Sequence, residues 1–321
     1  MNMKASIFTA APLAIVFAGL LPAADPQLLN LLMPDAKILA GVNVDQAKTT
    51  PFGQYVLVQV QAQDQHLRQL VALTGFDPTR DLHELLVASN GVQPHPAGLV
   101  LARGSFDAAK LQAAAQTGGA TTETYDGVTI LIDPKGTNAV AFLNGTLAVA
   151  GDVASVKAAL DRQSAPASLD AGLLVKVNQL SATEDAWAVS EIPPPVIKPP
   201  ANAPSTPNIP QNVFQKIQQG SGGVKFGAQI VMTADAQTAT PDDATAMAGV
   251  LQFLANLGQM QGQQNPQAAA ILKSLVVTAS GSVVHISLSI PEAQAEAAFQ
   301  LKPNVTVGPN ARRPGRPGRR L

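Results

Sequence analysis

The chain has 321 residues, of which 46% are hydrophobic and only 13% are charged. This is enough apolar material for one large core or two small ones. Aromatic residues make up only 4%. That composition disfavours sugar-binding grooves and single-stranded nucleic-acid sites, because both usually depend on aromatic stacking.

The formal net charge of −1 hides an asymmetry. Without Lys4 and the five arginines of the C-terminal tail, 15 basic residues stand against 22 acidic ones, a net charge of about −7. A body of that charge is unsuited to phosphate backbones, so no nucleic-acid partner is expected. The absence of cysteine rules out disulfides, thiol nucleophiles, thiolate metal sites and lipid attachment through an N-terminal cysteine.

Residues Met1–Ala24 have the pattern of a secretory signal peptide. Lys4 is followed by the apolar run Ile7–Leu21, and small residues precede Asp25, where we expect cleavage. The alternative is an uncleaved anchor, but the run is shorter than the ~20 residues of a membrane helix. We therefore expect a periplasmic or secreted protein with no transmembrane span after cleavage.

The region before residue 97 alternates helix and strand. Its predicted elements are the helix Asp25–Met33, the strand Ala36–Val44, a helix from Pro51 through Leu73 with a break near Asp64, and the strand Glu84–Ser89. Thr50 is predicted to cap the long helix, with Pro51 at the first helical position, where a missing amide costs nothing.

The best-patterned stretch is Ala97–Leu160. It predicts a strand at Gly98–Arg103, a helix at Ala108–Gln116 capped by Ser105 or Asp107, and a turn at Asp126-Gly127. Asn144-Gly145 lies between two apolar runs and predicts a two-residue hairpin turn, since both residues tolerate positive φ. Asp152 is then expected to cap a helix over Val153–Asp161.

The second half begins with a predicted helix, Ala171–Leu180, and a strand, Asp185–Glu191. Ile192–Pro210 follows with eight prolines. Because proline blocks helix and sheet hydrogen bonding, this segment is expected to be an extended excursion, acting as a spacer or as a ligand for a proline-recognising groove.

The rest of the second half continues the alternation. The predicted elements are a helix at Gln211–Gln219, a glycine-rich turn at Gly220–Gly223, a strand at Val224–Ala234, a helix at Ala244–Met260 started by Thr240, a hairpin at Leu275–Ile290 and a helix at Pro291–Phe299. The tail Asn310–Leu321 is rich in Arg, Pro and Gly and is expected to be disordered.

Two stretches share one pattern of apolar strand, turn, strand and Ala-rich helix: Ala139–Leu160 and Val276–Phe299. We therefore predict an α+β fold made of two related α/β units by internal duplication, with a mainly antiparallel sheet and helices packed on one face. The predicted division is a signal peptide at 1–24, a first unit at 25–170, a second unit at 171–300 with the proline-rich excursion at 192–210, and a basic tail at 301–321. A cleft between the units would be compatible with this pattern, although no residue indicates one.

Four motifs resemble those of uncharacterised secreted bacterial proteins of a domain-of-unknown-function type: Leu73–Leu82, Gly98–Asp107, Tyr125–Gly127 and Leu147–Asp152. The resemblance covers about Asp35–Asp161, and a weaker match follows in the second half of the chain. It implies an envelope location, but it supplies no activity and no catalytic residue.

No catalytic, cofactor-binding or metal-binding residue is assigned from the sequence. The four histidines, His66, His83, His95 and His285, do not have the spacing of a helical zinc motif. No Gly-x-Ser-x-Gly elbow is present, which disfavours a hydrolase.

Three weaker patterns either lack part of a binding motif or have a structural explanation. Gly220–Gly223 lacks the Lys-Ser/Thr ending of a phosphate-binding loop. Helix capping already explains Asp242 and Asp243. Asp77, Asp81 and Glu84 could hold calcium, but they lack the alternating ligands of an EF-hand.

The function expected from the sequence is that of a non-enzymatic extracytoplasmic scaffold. Its partner would be an envelope protein or an anionic envelope surface bound through the Arg-rich tail. The alternative is a periplasmic protein that binds lipid or an apolar small molecule, suggested by the aliphatic composition. A hydrolase is the third and weakest reading.

Overall fold

The computed structural model describes residues 24–63, 65–92, 96–166, 168–193, 213–260 and 266–300. The predictions for residues 1–23, for most of the proline-rich excursion and for the basic tail lie outside these ranges. Within them, twelve strands form one antiparallel sheet, with helices on both of its faces. The α+β class and the mainly antiparallel sheet are therefore confirmed.

The strands are β1 Ile38–Asn43, β2 Leu82–Ser89, β3 Gly98–Gly104, β4 Thr121–Tyr125, β5 Val128–Ile132, β6 Asn138–Phe142, β7 Leu147–Asp152, β8 Ala186–Ser190, β9 Ile217–Lys225, β10 Gln229–Thr238, β11 Val276–Ser280 and β12 Val283–Pro291. The helices are α1 Pro26–Leu29, α2 Val44–Ala47, α3 Pro51–Gln63, α4 Gln65–Thr74, α5 Pro78–Asp81, α6 Ala108–Thr117, α7 Val153–Ser164, α8 Ala171–Thr183, α9 Pro241–Met260, α10 Pro266–Leu272 and α11 Glu292–Gln300. A 3-10 turn at Val213–Lys216 precedes β9.

The strand order is β11-β12-β10-β9-β8-β1-β2-β3-β7-β6-β5-β4. Outward from the central β1–β8 pair, one side runs β1, β2, β3, β7, β6 and the other runs β8, β9, β10, β12, β11. The first side then continues through β5 and β4, which have no counterpart on the other side. The two halves thus place corresponding strands in the same order. This correspondence agrees with the predicted duplication, which itself stays a prediction.

The main core lies on the face of the sheet that carries Leu39 of β1, here called the first face. Helices α1, α7 and α8 cover it, and the fully buried side chains there include Leu28, Leu39, Leu86, Leu101, Leu160 and Leu173. At ~25 cal/mol per Å² of apolar surface, each such leucine stabilises the fold by about 1.5–3 kcal/mol.

Two smaller cores lie on the opposite, second face. Helix α9 covers Val277 and Val284 through Met247, while Phe52 of α3 and Ala295 of α11 pack with Ile230 and Ile290. The prediction that helices pack on one face is therefore too simple. Successive residues of a strand point to opposite faces of the sheet. In β1, apolar residues point to both faces, so helices can pack on either side.

Helix starts follow their predicted caps. The Asp107 carboxylate accepts from Lys110 N at 3.1 Å, and the Asp152 carboxylate accepts from Ser155 N at 2.9 Å. Thr50 Oγ1 accepts from Gly53 N at 3.1 Å, and Thr240 Oγ1 accepts from Asp243 N in the same way. Each cap satisfies an amide that the helix leaves without a partner.

The hairpin around Asn144-Gly145 is present, but its predicted two-residue turn is wrong. Gly145 is outside the positive-φ region, and Asn144 Oδ1 instead accepts from Thr146 N and Leu147 N in a longer loop. The positive-φ pair occurs at Asp126-Gly127, with φ of 47° and 75°, between the paired strands β4 and β5.

The region 211–234 departs most from its prediction. The described part of the expected helix Gln211–Gln219 is a 3-10 turn leading into β9, and Gly220–Gly223 lies inside β9 instead of forming a turn. The chain reverses after Lys225, so the predicted strand at Val224–Ala234 is divided between β9 and β10. Glycine is required in β9 by close contact, because a Cβ at Gly222 would collide with the Thr233 carbonyl oxygen.

Candidate binding surface

A row of small aliphatic residues crosses the second face at the centre of the sheet. Directly paired residues of antiparallel strands share a face. The register therefore aligns one residue from each of six adjacent strands: Val100, Val87, Ala40, Ala188, Gly222 and Ala234. These six residues are called the apolar row below. At ~4.8 Å between strands, it is about 24 Å long.

The apolar row is uncovered in its middle. Val87 and Val100 are each 40% exposed, and Ala188 and Ala234 are also exposed. The same strands turn Leu86 and Leu101 to the first face, where both are fully buried. One face of these strands is thus packed, while the other presents aliphatic side chains to solvent.

The line of the apolar row continues at both ends and reaches a buried residue on each side. Beyond Val100 it runs through Ala150 and Val140 to Leu131, and beyond Ala234 it runs through Ile286 to Val277. Leu131 and Val277 are 6% and 7% exposed. Leu131 shares a cleft with α6 residues, and Val277 packs under α9, so the open part lies between two helical covers.

The row that flanks the apolar row on one side is also apolar. One neighbouring row pairs Ala102, Leu85, Val42, Ala186 and Val224 across β3, β2, β1, β8 and β9. Neither row contains a charged or an aromatic side chain. Charge depletion of this kind is typical of the central part of protein interfaces.

Two clefts lie elsewhere on the molecule. The larger, of about 380 Å³, is lined partly by charged side chains including Arg80, Asp81 and Lys110. The smaller, of about 190 Å³, lies between α6 and the Phe142 region. No residue of the apolar row lines either of these two clefts.

Two of the four histidines each lie beside an aspartate side chain. His83 Nδ1 lies 2.8 Å from Asp45 Oδ1, and His285 Nδ1 lies 2.7 Å from Asp235 Oδ1. Across the strands, Asp235 pairs with Ser221 on one side and with His285 on the other. Ser221 and His285 are therefore not direct neighbours, as the serine and histidine of a hydrolase triad are. The side chain of His66 and the whole of His95 lie outside the description.

The three acids considered for calcium are only partly brought together. Asp77 and Asp81 meet in the α5 turn, where Asp81 accepts from Asp77 N at 2.8 Å and pairs with Arg80. This hydrogen bond to Arg80 is the main reason that the pKa of Asp81 is lowered. Glu84 is buried on the first face and accepts from Asp25 N. Among the described residues, no group of three His, Asp or Glu side chains could hold a metal ion.

The remaining weak motifs have structural roles. Gly220–Gly223 lies within β9, and so offers no loop for a phosphate. Asp242 and Asp243 lie in the first turn of α9, and Asp243 accepts from Thr240 Oγ1 at 2.8 Å. Helix capping therefore accounts for their position.

Sequence reasoning missed the apolar row for a physical reason. A continuous apolar run such as Gly98–Arg103 predicts a strand that is buried on both faces. The structure covers only one face of this strand at its centre. The pairing of Val100 with Val87 follows from the register of β2 and β3, and no local sequence pattern predicts that register.

Within the described ranges, no helix combines the length and hydropathy that a membrane span requires. No family model matches the chain, and no curated protein does. Solved structures do match. Crystal form I of TP0453 aligns with a TM-score of 0.50 at 10% identity, covering 86% of this chain and 98% of that one. Crystal form III of TP0453 aligns with a TM-score of 0.53 at 10% identity, covering 84% and 96%. At this identity the likeness shows the fold alone: the chain has an α+β architecture similar to that of TP0453.

Proposed function

We propose that this chain is an exported, non-enzymatic protein that binds a protein partner on the second face of its sheet. The observation that carries the proposal is the exposed apolar row in the centre of an otherwise packed sheet. Contiguous exposed apolar surface of this kind often marks an interaction site. The export part of the proposal rests on the signal-peptide pattern of residues 1–24.

The shape of the surface supports a protein over a small ligand. Small-molecule sites are concave and bury most of the ligand, whereas the apolar row is open and about 24 Å long. A partner could cover it with an aliphatic face of its own, and the flanking row would extend the apolar contact. The position between α6 and α9 would fix where such a partner sits.

The test is a pair of conservative substitutions, Val87→Thr and Val100→Thr, in one protein. Threonine preserves the shape and strand preference of valine but adds a hydroxyl that an apolar partner would leave unsatisfied. We expect partner affinity to fall about 10-fold or more, measured by quantitative pull-down from native envelope, with the folded state retained.

The matched control is Val276→Thr, which changes a 57% exposed valine on the opposite, first face, in the edge strand β11. A photo-crosslinking residue at position 87 should give one discrete adduct, and the same residue at position 276 should not. Equal capture by both positions, or affinity unchanged in the double variant, would contradict the proposal.

A second candidate is binding of a lipid or another apolar small molecule on the same row. Its support is the absence of any charged side chain there. Organic extraction of the exported protein, followed by mass spectrometry, should then yield a near-stoichiometric apolar molecule that the double threonine variant retains poorly. A clean extract would remove this candidate.

The Arg-rich tail is proposed as a separate contact with an anionic envelope surface. It lies outside the described residues, so the proposal rests on its five arginines alone. Deleting Asn310–Leu321 should weaken envelope association in a salt-dependent way. Unchanged association after the deletion would count against a role for the tail.

A further inference from the structure

The backbone nitrogen of Asp25 lies against a carboxylate. It donates to Glu84 Oε1 at 3.1 Å and to Oε2 at 3.3 Å. The Asp25 side chain caps α1 by accepting from Gln27 N at 2.8 Å, and its other oxygen lies 3.2 Å from Arg103 Nε. Three contacts thus fix the residue that directly follows the predicted signal peptide.

Glu84 is buried, with 12% of its side chain exposed. Burial of a carboxylate is costly unless an opposite charge is near, and burial is the main reason that the pKa of Glu84 is raised. Among the described residues, the cation in ion-pair range is Arg103, whose Nε is 3.7 Å from Glu84 Oε2.

Arg103 cannot neutralise Glu84 alone, because it is shared. It also lies 3.2 Å from Asp25 and 3.9 Å from Asp45. Lys48 lies 3.5 Å from Asp45 Oδ1 and so compensates that carboxylate instead of Glu84. The ring of His83 also contacts Asp45, at 2.8 Å. Glu84 therefore lacks a full positive counter-charge. A cation at the position of the Asp25 nitrogen would supply it.

We propose that the chain is cut between Ala24 and Asp25, and that Glu84 is the binding site for the new N-terminus. An endopeptidase of the export machinery adds water across this peptide bond. Ala24 then ends in a carboxylate, and Asp25 gains an amine that takes up a proton. The resulting α-ammonium forms an ion pair with Glu84 where the amide now donates a hydrogen bond.

The neighbouring bond fits less well. The Ala24 nitrogen donates to Ser181 Oγ at 3.0 Å, a buried neutral hydroxyl. Ala24 is only 4% exposed and belongs to the main core, so an ammonium at its nitrogen would have a poor environment. The same burial means that cleavage precedes folding.

The first test is the N-terminal sequence of the protein recovered from its native cells. We expect it to begin at Asp25. A start at any other residue, or an uncleaved chain, overturns the proposal.

The second test compares proteins that begin at Asp25 and at Ala24, each with and without Glu84→Gln. In the protein that begins at Asp25, E84Q should raise the unfolding equilibrium constant by about 10-fold or more, because it leaves a partly buried ammonium without its counter-charge. In the protein that begins at Ala24, E84Q should leave that constant unchanged or lower it, because it removes a buried carboxylate with too little positive charge.

The control is Glu191→Gln, which removes a carboxylate of similar exposure, 13%, from a pair with Lys37. Its effect should be the same for both starting residues. An equal effect of E84Q in the two proteins would overturn the ion pair. The inference rests on the export part of the proposed function and not on the apolar row, so the two fail separately: one in the N-terminal sequence, the other in partner capture.

Discussion

Single carboxylates organise the turns of this protein. Asp133 follows β5, and its Oδ1 accepts from Thr137 N at 2.7 Å and from Asn138 N at 3.0 Å. These bonds stabilise the ionised form, and the amide of Asn138 is the main reason that the pKa of Asp133 is lowered. The side chain thus joins the end of β5 to the start of β6.

Asp133→Asn should therefore make stability less dependent on acid. Because the pKa is lower in the folded protein than in the unfolded one, the ionised carboxylate stabilises the fold above its ordinary pKa of about 4. That contribution is lost as pH falls through the folded-state pKa. Denaturant unfolding from pH 6 to pH 2.5 should show the wild type more stable at pH 6 and the difference shrinking in acid.

A matched substitution is Asp126→Asn, at an exposed hairpin turn with positive φ, which asparagine tolerates. It controls for the removal of one negative charge from an exposed turn. A constant stability difference between Asp133→Asn and the wild type at every pH would contradict the titration argument.

At the scale of elements, strand β9 shows where local pattern fails. Gly220, Gly222 and Gly223 read locally as a turn, because glycine usually marks one. In the fold they lie in a strand between β8 and β10, where space is short: a Cβ at Gly223 would meet the Glu184 side chain. Tertiary contact, and not backbone preference, selects glycine here.

Gly222→Ala and Gly249→Ala should consequently have opposite effects. The first places a methyl group against the Thr233 carbonyl and should destabilise the fold by about 1–3 kcal/mol. The second lies in α9 with open space around it and should stabilise the fold by about 0.8–1 kcal/mol, since alanine favours helix. Urea unfolding of both variants measures the difference, and effects of the same sign would refute the contact argument.

At the scale of the whole molecule, the β1–β8 pair joins the two predicted units into one sheet. Asn43 N donates to the Asp185 carbonyl at 2.8 Å at this junction. The main core also crosses it, because Leu173 of α8 and Trp187 of β8 pack in one cluster with Leu39 of β1. Each unit therefore completes the core of the other.

The fragment 25–170 should for this reason fail to fold cooperatively. Removing the rest of the chain exposes the edge of β1 and takes α8 and β8 out of the main core. We expect a broad, low-slope denaturant response, compared with a single sharp transition for the intact chain. A sharp transition of the isolated fragment would show that the first unit is self-sufficient.

The sequence by itself determined the α+β class, most helices and strands, and the caps at Asp107 and Asp152. These features depend on neighbours within a few residues, so periodicity and capping chemistry reveal them. Local pattern makes Glu84 the start of a strand and a possible calcium ligand, but it does not pair it with Asp25, which is 59 residues away along the chain.

Only the tertiary structure decided the strand order, the helices on both faces, the apolar row and the contact between Asp25 and Glu84. Each of these joins residues that are distant in sequence, such as Ala40 and Ala188 in the central strand pair. The sequence shows that both residues are apolar, but register and neighbouring helices decide whether such residues are covered or exposed. The candidate binding surface is therefore a property of the assembled sheet.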